Sequence, residues 1–196
     1  MKKLKVFDFD DTLAKTNSLV RIQKPSGERM SLTPAEYAKY DKEQGDEIDY
    51  SDFDSLIEPR MIRWVFNIMR RSILKGQDVI VLTARGSEVR DQISKFLSDH
   101  GAGDIEVVTL GDSNPMAKAL HVSRMIEDND YNFVEFFDDS EKNVRAVKSL
   151  SHTIHPNVEI VAHHIIHKPG GMSTSVRIKE VMLRDLIAHM VRDDSD

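Results

Sequence analysis

The sequence contains no cysteine, and this absence excludes disulfide bridges, a thiol nucleophile and a cysteine-ligated metal site. The lack of thiols fits a reducing compartment, and we expect a cytoplasmic protein. Long apolar runs are also missing, since none approaches the roughly 20 residues that a membrane-spanning helix needs. Because the sequence enters a predicted strand at once, we expect no signal peptide. We therefore expect no membrane partner.

Positive charge is scarce and dispersed. The 196 residues include 27 Lys and Arg against 33 Asp and Glu, for a net charge of −6. No basic block indicates a nucleic-acid surface. The acidic excess lies in residues 41–54, which carry seven acids and one base. The length and the hydrophobic fraction of 40% suffice for one domain with a sizeable core.

The first apolar run ends in carboxylates. The apolar residues within 4–9 are rich in β-branched and aromatic side chains and predict a buried strand. At the end of this strand lie three carboxylates, those of Asp8, Asp10 and Asp11. Carboxylates crowded there raise one another's pKa, so either the strand end opens into water or a cation binds. Asp8 and Asp10 would point the same way on a regular strand. Two convergent carboxylates suit a hard divalent cation such as Mg²⁺.

Strands and helices alternate in the remainder of the chain. Further strands are predicted at 79–82, 105–110, 133–137 and 158–162, and helices at 59–75, 87–100, 114–127 and 140–151. Together with the first strand, this alternation predicts an α/β fold. We expect a Rossmann-like parallel five-stranded sheet with helices on both faces.

Two segments fall outside the alternation. We assign residues 1–167 to one domain, in which 13–57 form a flap or small cap insert after the first strand. Residues 168–176, which include a Gly-Gly pair, are predicted to be a linker. An amphipathic pattern predicts a C-terminal helix at 177–192.

Turn and cap signals predict structure within the insert. Turn chemistry at 25–27 predicts a β-hairpin within residues 18–30. Thr33 and Glu36 form a capping-box pattern, which predicts a short helix. Two interpretations remain for the acidic segment 41–54: a solvated loop, or a lid whose carboxylates disfavour long polyanions.

Polar residues collect where the predicted strands end. Thr83 and Arg85 follow the second strand, Asp138 and Asp139 follow the fourth, and Lys118 begins the helix after the third. Each alone has an ordinary explanation, such as helix capping or a solvated lysine. Ligands of open α/β sheets bind outside the carboxyl ends of the strands. We therefore expect these side chains to share one site with the carboxylates of the first strand.

The order of these residues resembles the signature set of the haloacid dehalogenase-like (HAD) phosphohydrolases. Asp8-Phe-Asp10-Asp-Thr12 is similar to the first motif of that family, Thr83 after an apolar strand to the second, Lys118 to the third, and Asp138-Asp139 to the fourth. The resemblance covers residues 4 to about 162. Agreement among separate motifs in the right order is the evidence for it.

The resemblance implies a Mg²⁺-dependent phosphomonoester hydrolase. Asp8 would be the nucleophile that forms an aspartyl phosphate, and Asp10 would act first as acid and then as base. Thr83 and Lys118 would hold phosphoryl oxygens, and Arg85 would also bind the substrate.

The resemblance also implies the metal ligands. Mg²⁺ would be held by Asp8, by Asp10 through its backbone carbonyl, and by the pair Asp138 and Asp139. Asn143 in the following helix is open to two interpretations: it orients one of that pair, or it is an ordinary helix position.

The expected substrate is a nucleotide or a phosphorylated polynucleotide end. The Leu82-Thr-Ala-Arg-Gly86 turn and the short insert look most like the nucleotide and polynucleotide-end phosphatases of the family. One alternative is a phospho-receiver signalling domain, which would place its phosphorylated aspartate at the end of the third strand. A second alternative is an inactive HAD-like scaffold.

Overall fold

A mixed six-stranded sheet lies at the centre of the computed structural model, which describes residues 2–37, 40–167 and 173–178. In chain order the elements are β1 (Lys3–Phe7), β2 (Ala14–Lys15), β3 (Val20–Gln23), β4 (Arg29–Leu32), α1 (Pro34–Tyr37), β5 (Glu47–Asp49), β6 (Arg60–Met61), α2 (Arg63–Leu74), β7 (Asp78–Thr83), α3 (Arg90–Asp99), β8 (Glu106–Thr109), α4 (Pro115–Asn129), β9 (Phe133–Asp138), α5 (Glu141–Thr153), β10 (Glu159–His167) and β11 (Ser173–Ile178). Short 3₁₀ helices span Ser51–Asp54 and Ser87–Val89. None of the helices in the described ranges is long and apolar enough to cross a bilayer.

The strand order in the central sheet is β11-β10-β9-β1-β7-β8. Strands β1, β7, β8, β9 and β10 run parallel, and β11 pairs antiparallel with β10 at the edge. Numbered along the chain, the five parallel strands lie in the order 3-2-1-4-5. The predicted parallel strands are confirmed, but the count of five for the whole sheet is wrong.

Strand β11 corrects two predictions about the C-terminal part of the chain. Ser173–Ile178 was expected to fall in a linker over 168–176 and in the start of a helix over 177–192. Thr174, Val176 and Ile178 do alternate with polar residues in this segment, but the pattern spans only six residues, and the strand forms by pairing with β10. Residues 168–172 and 179–192 lie outside the described part of the chain.

Helices cover both faces of the sheet, as predicted. Apolar side chains of α2 and α3, including Phe66 and Ile93, pack on one face around Phe7. Those of α4 and α5, including Val122, pack on the other face around Val6. Neighbouring residues of β1 therefore point to opposite layers, as the two-residue period of a strand requires.

The insert forms a small three-stranded antiparallel sheet in the order β4-β3-β5. The predicted hairpin is confirmed as the β3–β4 pair, and Gly27 in its turn has φ +85°. The capping box is also confirmed, since the Thr33 N–H donates to the Glu36 carboxylate at 2.8 Å and the Glu36 N–H donates to the Thr33 hydroxyl at 3.3 Å.

The acidic segment 41–54 is only partly a loop. Glu47–Asp49 pairs with β3 as β5, and the short acidic sequence around Ile48 gave too little pattern to predict it. Asp46 accepts hydrogen bonds from the Tyr40 hydroxyl and the Glu43 N–H. Asp52 forms an ion pair with Arg21. Several acids of this segment thus hold the insert together.

Candidate active site

Lys118 joins the ends of the two central strands. The register pairs Phe7 of β1 with Phe137 of β9, so Asp8 and Asp138 follow side by side. The Lys118 Nζ, from the first turn of α4, lies 2.6 Å from Asp8 Oδ1 and 2.7 Å from Asp138 Oδ2. All three residues are at most 5% exposed. One ammonium group thus bridges two buried carboxylates at the carboxyl edge of the sheet.

Asp139 adds a third carboxylate to this group. One carboxylate oxygen from each of Asp8, Asp138 and Asp139 lies within 4.8 Å of the other two. Burial raises the pKa of Asp8 to about 7, against the opposing effect of Lys118. Burial and the charge of Asp138 raise the pKa of Asp139 well above its usual range. Burial would lower the pKa of Lys118, but its two carboxylate partners outweigh burial and raise it.

The chemistry of the three carboxylates fits a hard divalent cation. Mg²⁺ prefers oxygen ligands, and Asp8, Asp138 and Asp139 offer only oxygen. One ammonium charge faces three carboxylates, so a further positive charge would lower the cost of burying them. The side chain of Asp10, which the sequence also assigned to the metal, lies outside this group.

Asp10 departs from the expected strand geometry because β1 ends at Phe7 and the chain then turns. The N–H groups of Leu13 and Ala14 both donate to the Phe9 carbonyl, which closes the turn after Asp8. The Asp10 carboxylate is held by Arg85, with Nε to Oδ2 and Nη2 to Oδ1 both at 2.8 Å. The Asp10 carboxylate is therefore bound to Arg85 and does not join the group formed by Asp8, Asp138 and Asp139.

Arg85 is buried and its guanidinium is saturated with acceptors. Besides Asp10, its Nη1 donates to the carbonyls of Phe53 and Ser55 at 3.0 and 2.9 Å. Its Nη2 donates to the hydroxyls of Thr16 and Ser18 at 3.1 and 3.0 Å. A guanidinium has five N–H donors, and each has an acceptor here. Arg85 thus ties the insert to Asp10, and no donor is left for the expected contact with substrate.

Backbone and side-chain donors fix the orientation of Asp138. The Ser140 N–H donates to Asp138 Oδ1 at 2.8 Å, and the Asn143 amide nitrogen lies 3.1 Å from both carboxylate oxygens. Ser140 caps α5 through a bond from the Asn143 N–H. Of the two interpretations of Asn143, the structure matches the one in which it orients one of the acidic pair, Asp138.

Two histidines of β10 contact the loops beside the acidic residues. His164 Nε2 lies 2.8 Å from the Asp139 carbonyl, and His167 Nε2 contacts the Asp11 carbonyl. A carbonyl only accepts, so each ring donates. The predicted fifth strand ended at residue 162, and its continuation to His167 places these rings at the site.

The candidate residues open into a cleft of about 720 Å³ between the sheet edge and the insert. Its wall includes the predicted residues Asp8, Asp10, Thr83, Arg85, Lys118 and Asp139. Asp138 does not line the cleft and holds Lys118 from behind. Thr83 is buried, and its hydroxyl accepts a bond from the Arg85 N–H at 3.2 Å.

The insert also lines the cleft, with residues that no sequence motif indicated. Tyr37, Tyr50 and Phe53 of the insert line it, and we call these three the aromatic wall. Asp54, Glu88 and Asp112 line the cleft and are exposed, and we call them the acidic rim. The sequence shows aromatic residues in an otherwise polar insert, but this pattern does not indicate which way their side chains face.

No protein-family model matches the chain, and comparison with curated proteins gives no match either. The functional interpretation therefore depends on the geometry and chemistry of the site.

Proposed function

We propose that this protein is a Mg²⁺-dependent phosphomonoester hydrolase of the HAD-like kind, which acts on a nucleotide or a polynucleotide end through an aspartyl phosphate. The observation that carries the proposal is the bridge from Lys118 to Asp8 and Asp138, with Asp139 alongside, at the edge of a cleft. A buried ammonium between carboxylates suits a reaction in which a carboxylate must approach a phosphate.

Asp8 is the proposed nucleophile because its carboxylate lies in the cleft and touches Lys118. An oxygen of Asp8 would attack phosphorus and displace the leaving oxygen, which leaves the phosphoryl group on the carboxylate. Lys118 and Thr83 would hold the phosphoryl oxygens, and the ammonium of Lys118 would offset their developing charge.

Mg²⁺ would be held by Asp8, Asp138 and Asp139, with the backbone carbonyl of Asp10 as the further ligand that the resemblance implies. When bound, it would neutralise carboxylate and phosphate charge, so that an anionic nucleophile can approach an anionic substrate. Burial is the main cause of the raised pKa values of Asp8 and Asp139, and a bound cation would offset this cost of keeping both carboxylates charged.

Asp10 is the proposed acid and base. It would protonate the leaving oxygen in the first step and take a proton from water in the second. The bidentate pair with Arg85 fixes the direction of its carboxylate. We therefore assign Arg85 a positioning role in place of the substrate contact expected from sequence.

The strand order favours this proposal over a phospho-receiver domain. The order 3-2-1-4-5 is that of Rossmann-type doubly wound sheets, whereas receivers use the flavodoxin-like order 2-1-3-4-5. The chain reverses direction across the sheet between β1 and β9, and Asp8 and Asp138 sit at that switch point. The third parallel strand ends at Thr109 and carries no aspartate there. An inactive scaffold is disfavoured because every proposed catalytic group is present in the cleft.

The test is phosphate release from a substrate panel of nucleotides, sugar phosphates and terminally phosphorylated oligonucleotides. Activity should require Mg²⁺, stop with EDTA, and be lost in Asp8→Asn. Circular dichroism should show that this variant remains folded. Phosphate release that persists in folded Asp8→Asn protein would contradict the assignment, and so would a stable phosphoprotein that releases no phosphate.

A further inference from the structure

The aromatic wall has no evident role in the phosphoryl chemistry. Tyr50 is 48% exposed although it borders the cleft. Its ring lies edge-on to that of Tyr37, with centroids 5.7 Å apart, and the two hydroxyls share a hydrogen bond. Aromatic side chains beside a polar site typically hold the apolar or planar part of a ligand. The wall is therefore a candidate subsite for the part of the substrate that is not phosphate.

Arg85 places this wall next to the proposed acid. Its guanidinium binds Asp10 on one side and the carbonyls of Phe53 and Ser55 on the other. The guanidinium carbon also lies 5.0 Å from the centre of the Phe53 ring. The group whose oxygen receives a proton from Asp10 would thus lie toward Phe53, so the wall faces the leaving portion of the substrate.

The charge around the cleft disfavours additional phosphates. Among the residues that the structure describes, seven acidic ones line the cleft and two basic ones, Arg85 and Lys118. Both basic side chains already pair with carboxylates. The acidic rim is exposed, and charges within about 8–10 Å are felt at ordinary salt. A single phosphate can be balanced by Lys118 and Mg²⁺, but a second phosphate would meet the rim.

We propose that the aromatic wall binds a planar aromatic ring carried by the leaving group and that the acidic rim rejects substrates with a second phosphate. The substrate class is thus a phosphomonoester whose leaving group carries such a ring, as the nucleoside of a mononucleotide does, and a polynucleotide end is disfavoured. This inference rests on the proposed phosphatase function. The acids that matter are those of the rim, of which only Asp54 belongs to the segment 41–54.

The first experiment compares kcat/KM for adenosine monophosphate and for glycerol phosphate. Tyr50→Leu and Phe53→Leu should each lower kcat/KM for adenosine monophosphate roughly five- to tenfold, the size expected from loss of one stacking partner. Both should lower it much less for glycerol phosphate. Tyr50→Phe keeps the ring and should retain most of the preference. Equal losses on both substrates in Tyr50→Leu and Phe53→Leu would overturn the role of the wall.

The second experiment compares adenosine monophosphate with a short oligonucleotide that carries one terminal phosphate. In the triple variant Asp54→Asn, Glu88→Gln, Asp112→Asn, the ratio of kcat/KM for the oligonucleotide to kcat/KM for adenosine monophosphate should rise roughly tenfold at low ionic strength. This gain should shrink as the salt concentration rises. The control triple Asp41→Asn, Asp104→Asn, Asp128→Asn has the same charge change at exposed positions that do not line the cleft. An equal gain in the control would overturn the role of the rim.

Failure of the inference and failure of the proposed function can be distinguished. Phosphate release from glycerol phosphate, adenosine monophosphate and oligonucleotide at similar kcat/KM would overturn the inference and leave the phosphatase proposal standing. Calorimetric binding of adenosine monophosphate that weakens in Tyr50→Leu, without phosphate release from any substrate, would support the subsite and overturn the phosphatase proposal. Absence of both binding and turnover would overturn both.

Discussion

Replacing Lys118 by Met should destabilise the metal-free protein strongly. The substitution keeps an unbranched apolar side chain but removes the ammonium that touches both Asp8 and Asp138. No other ion pair to either of these carboxylates occurs among the described residues. The variant would leave buried carboxylates without their charge partner.

The magnitude follows from the burial of this group. Lys118 is 2% exposed, and its two partners are 5% and 0% exposed. Breaking a buried pair by removing one partner costs about 3–5 kcal/mol, because an uncompensated charge remains. The variant can recover part of this loss when Asp8 takes up a proton, so the loss should be largest at mildly alkaline pH.

The assay is urea denaturation in EDTA, with the free energy of unfolding as the readout. Lys95→Met is the matched control, because Lys95 forms an exposed helical pair with Asp99, and it should cost less than about 1 kcal/mol. Added Mg²⁺ should stabilise Lys118→Met by more than it stabilises the wild type, since it restores positive charge to the same carboxylates.

The reasoning would be refuted if Lys118→Met and Lys95→Met lost similar stability in EDTA. It would also be refuted if Mg²⁺ raised the free energy of unfolding equally in Lys118→Met and wild type. Either result would mean that the carboxylates at β1 and β9 do not depend on a nearby cation.

Three further predictions concern single residues. Asp10→Asn should slow phosphate release from alkyl phosphates far more than it slows the first step with nitrophenyl phosphate, because the nitrophenyl leaving group needs little protonation. Pre-steady-state kinetics would measure both rates. Equal slowing of the two would make Asp10 a structural residue. Arg85→Lys, which loses the bidentate contact, should show the same dependence on the leaving group and faster amide exchange at residues 53–55, and unchanged exchange would count against its link to the insert. Burial raises the pKa of Glu135, but His163 and Lys5 outweigh burial and lower this pKa to about 2. The Glu135 carboxylate therefore stabilises the fold at pH values above 4.5, the pKa in the unfolded chain, and this contribution is lost as the pH falls toward 2. Glu135→Gln should therefore lower the free energy of unfolding by about 1–2 kcal/mol near neutral pH, a figure discounted for partial exposure. The difference in this free energy between variant and wild type should disappear in acid. A difference that is constant with pH would contradict the assignment.

The sequence predicted the residues of the site better than their geometry. Hydrophobic periodicity located the strands, and the rule that ligands bind at their carboxyl ends brought Asp8, Lys118, Asp138 and Asp139 together in advance. These groups were predictable because each is fixed to the end or start of a strongly patterned element.

Long-range pairing was the part that sequence could not supply. Arg85 meets Asp10 across 75 positions of the chain, and no local pattern indicates that this arginine will be saturated by the insert. Strand β1 stops at Phe7 although the apolar run continues to Phe9, because the turn is set by hydrogen bonds to the Phe9 carbonyl. Strand β11 depends on pairing with β10, and its six residues are too short a pattern to indicate that pairing in advance.

The most direct test of the central claim is the detection of a phosphoryl group on Asp8. Asp10→Asn protein should be mixed with nitrophenyl phosphate and Mg²⁺, quenched in acid within a single turnover, digested and analysed by mass spectrometry. The account predicts that the peptide with Asp8 carries phosphate, that EDTA prevents this, and that the wild type releases phosphate without accumulating the adduct. Phosphate release by the wild type, with no adduct on Asp8 in either protein and with activity retained in Asp8→Asn, would contradict it.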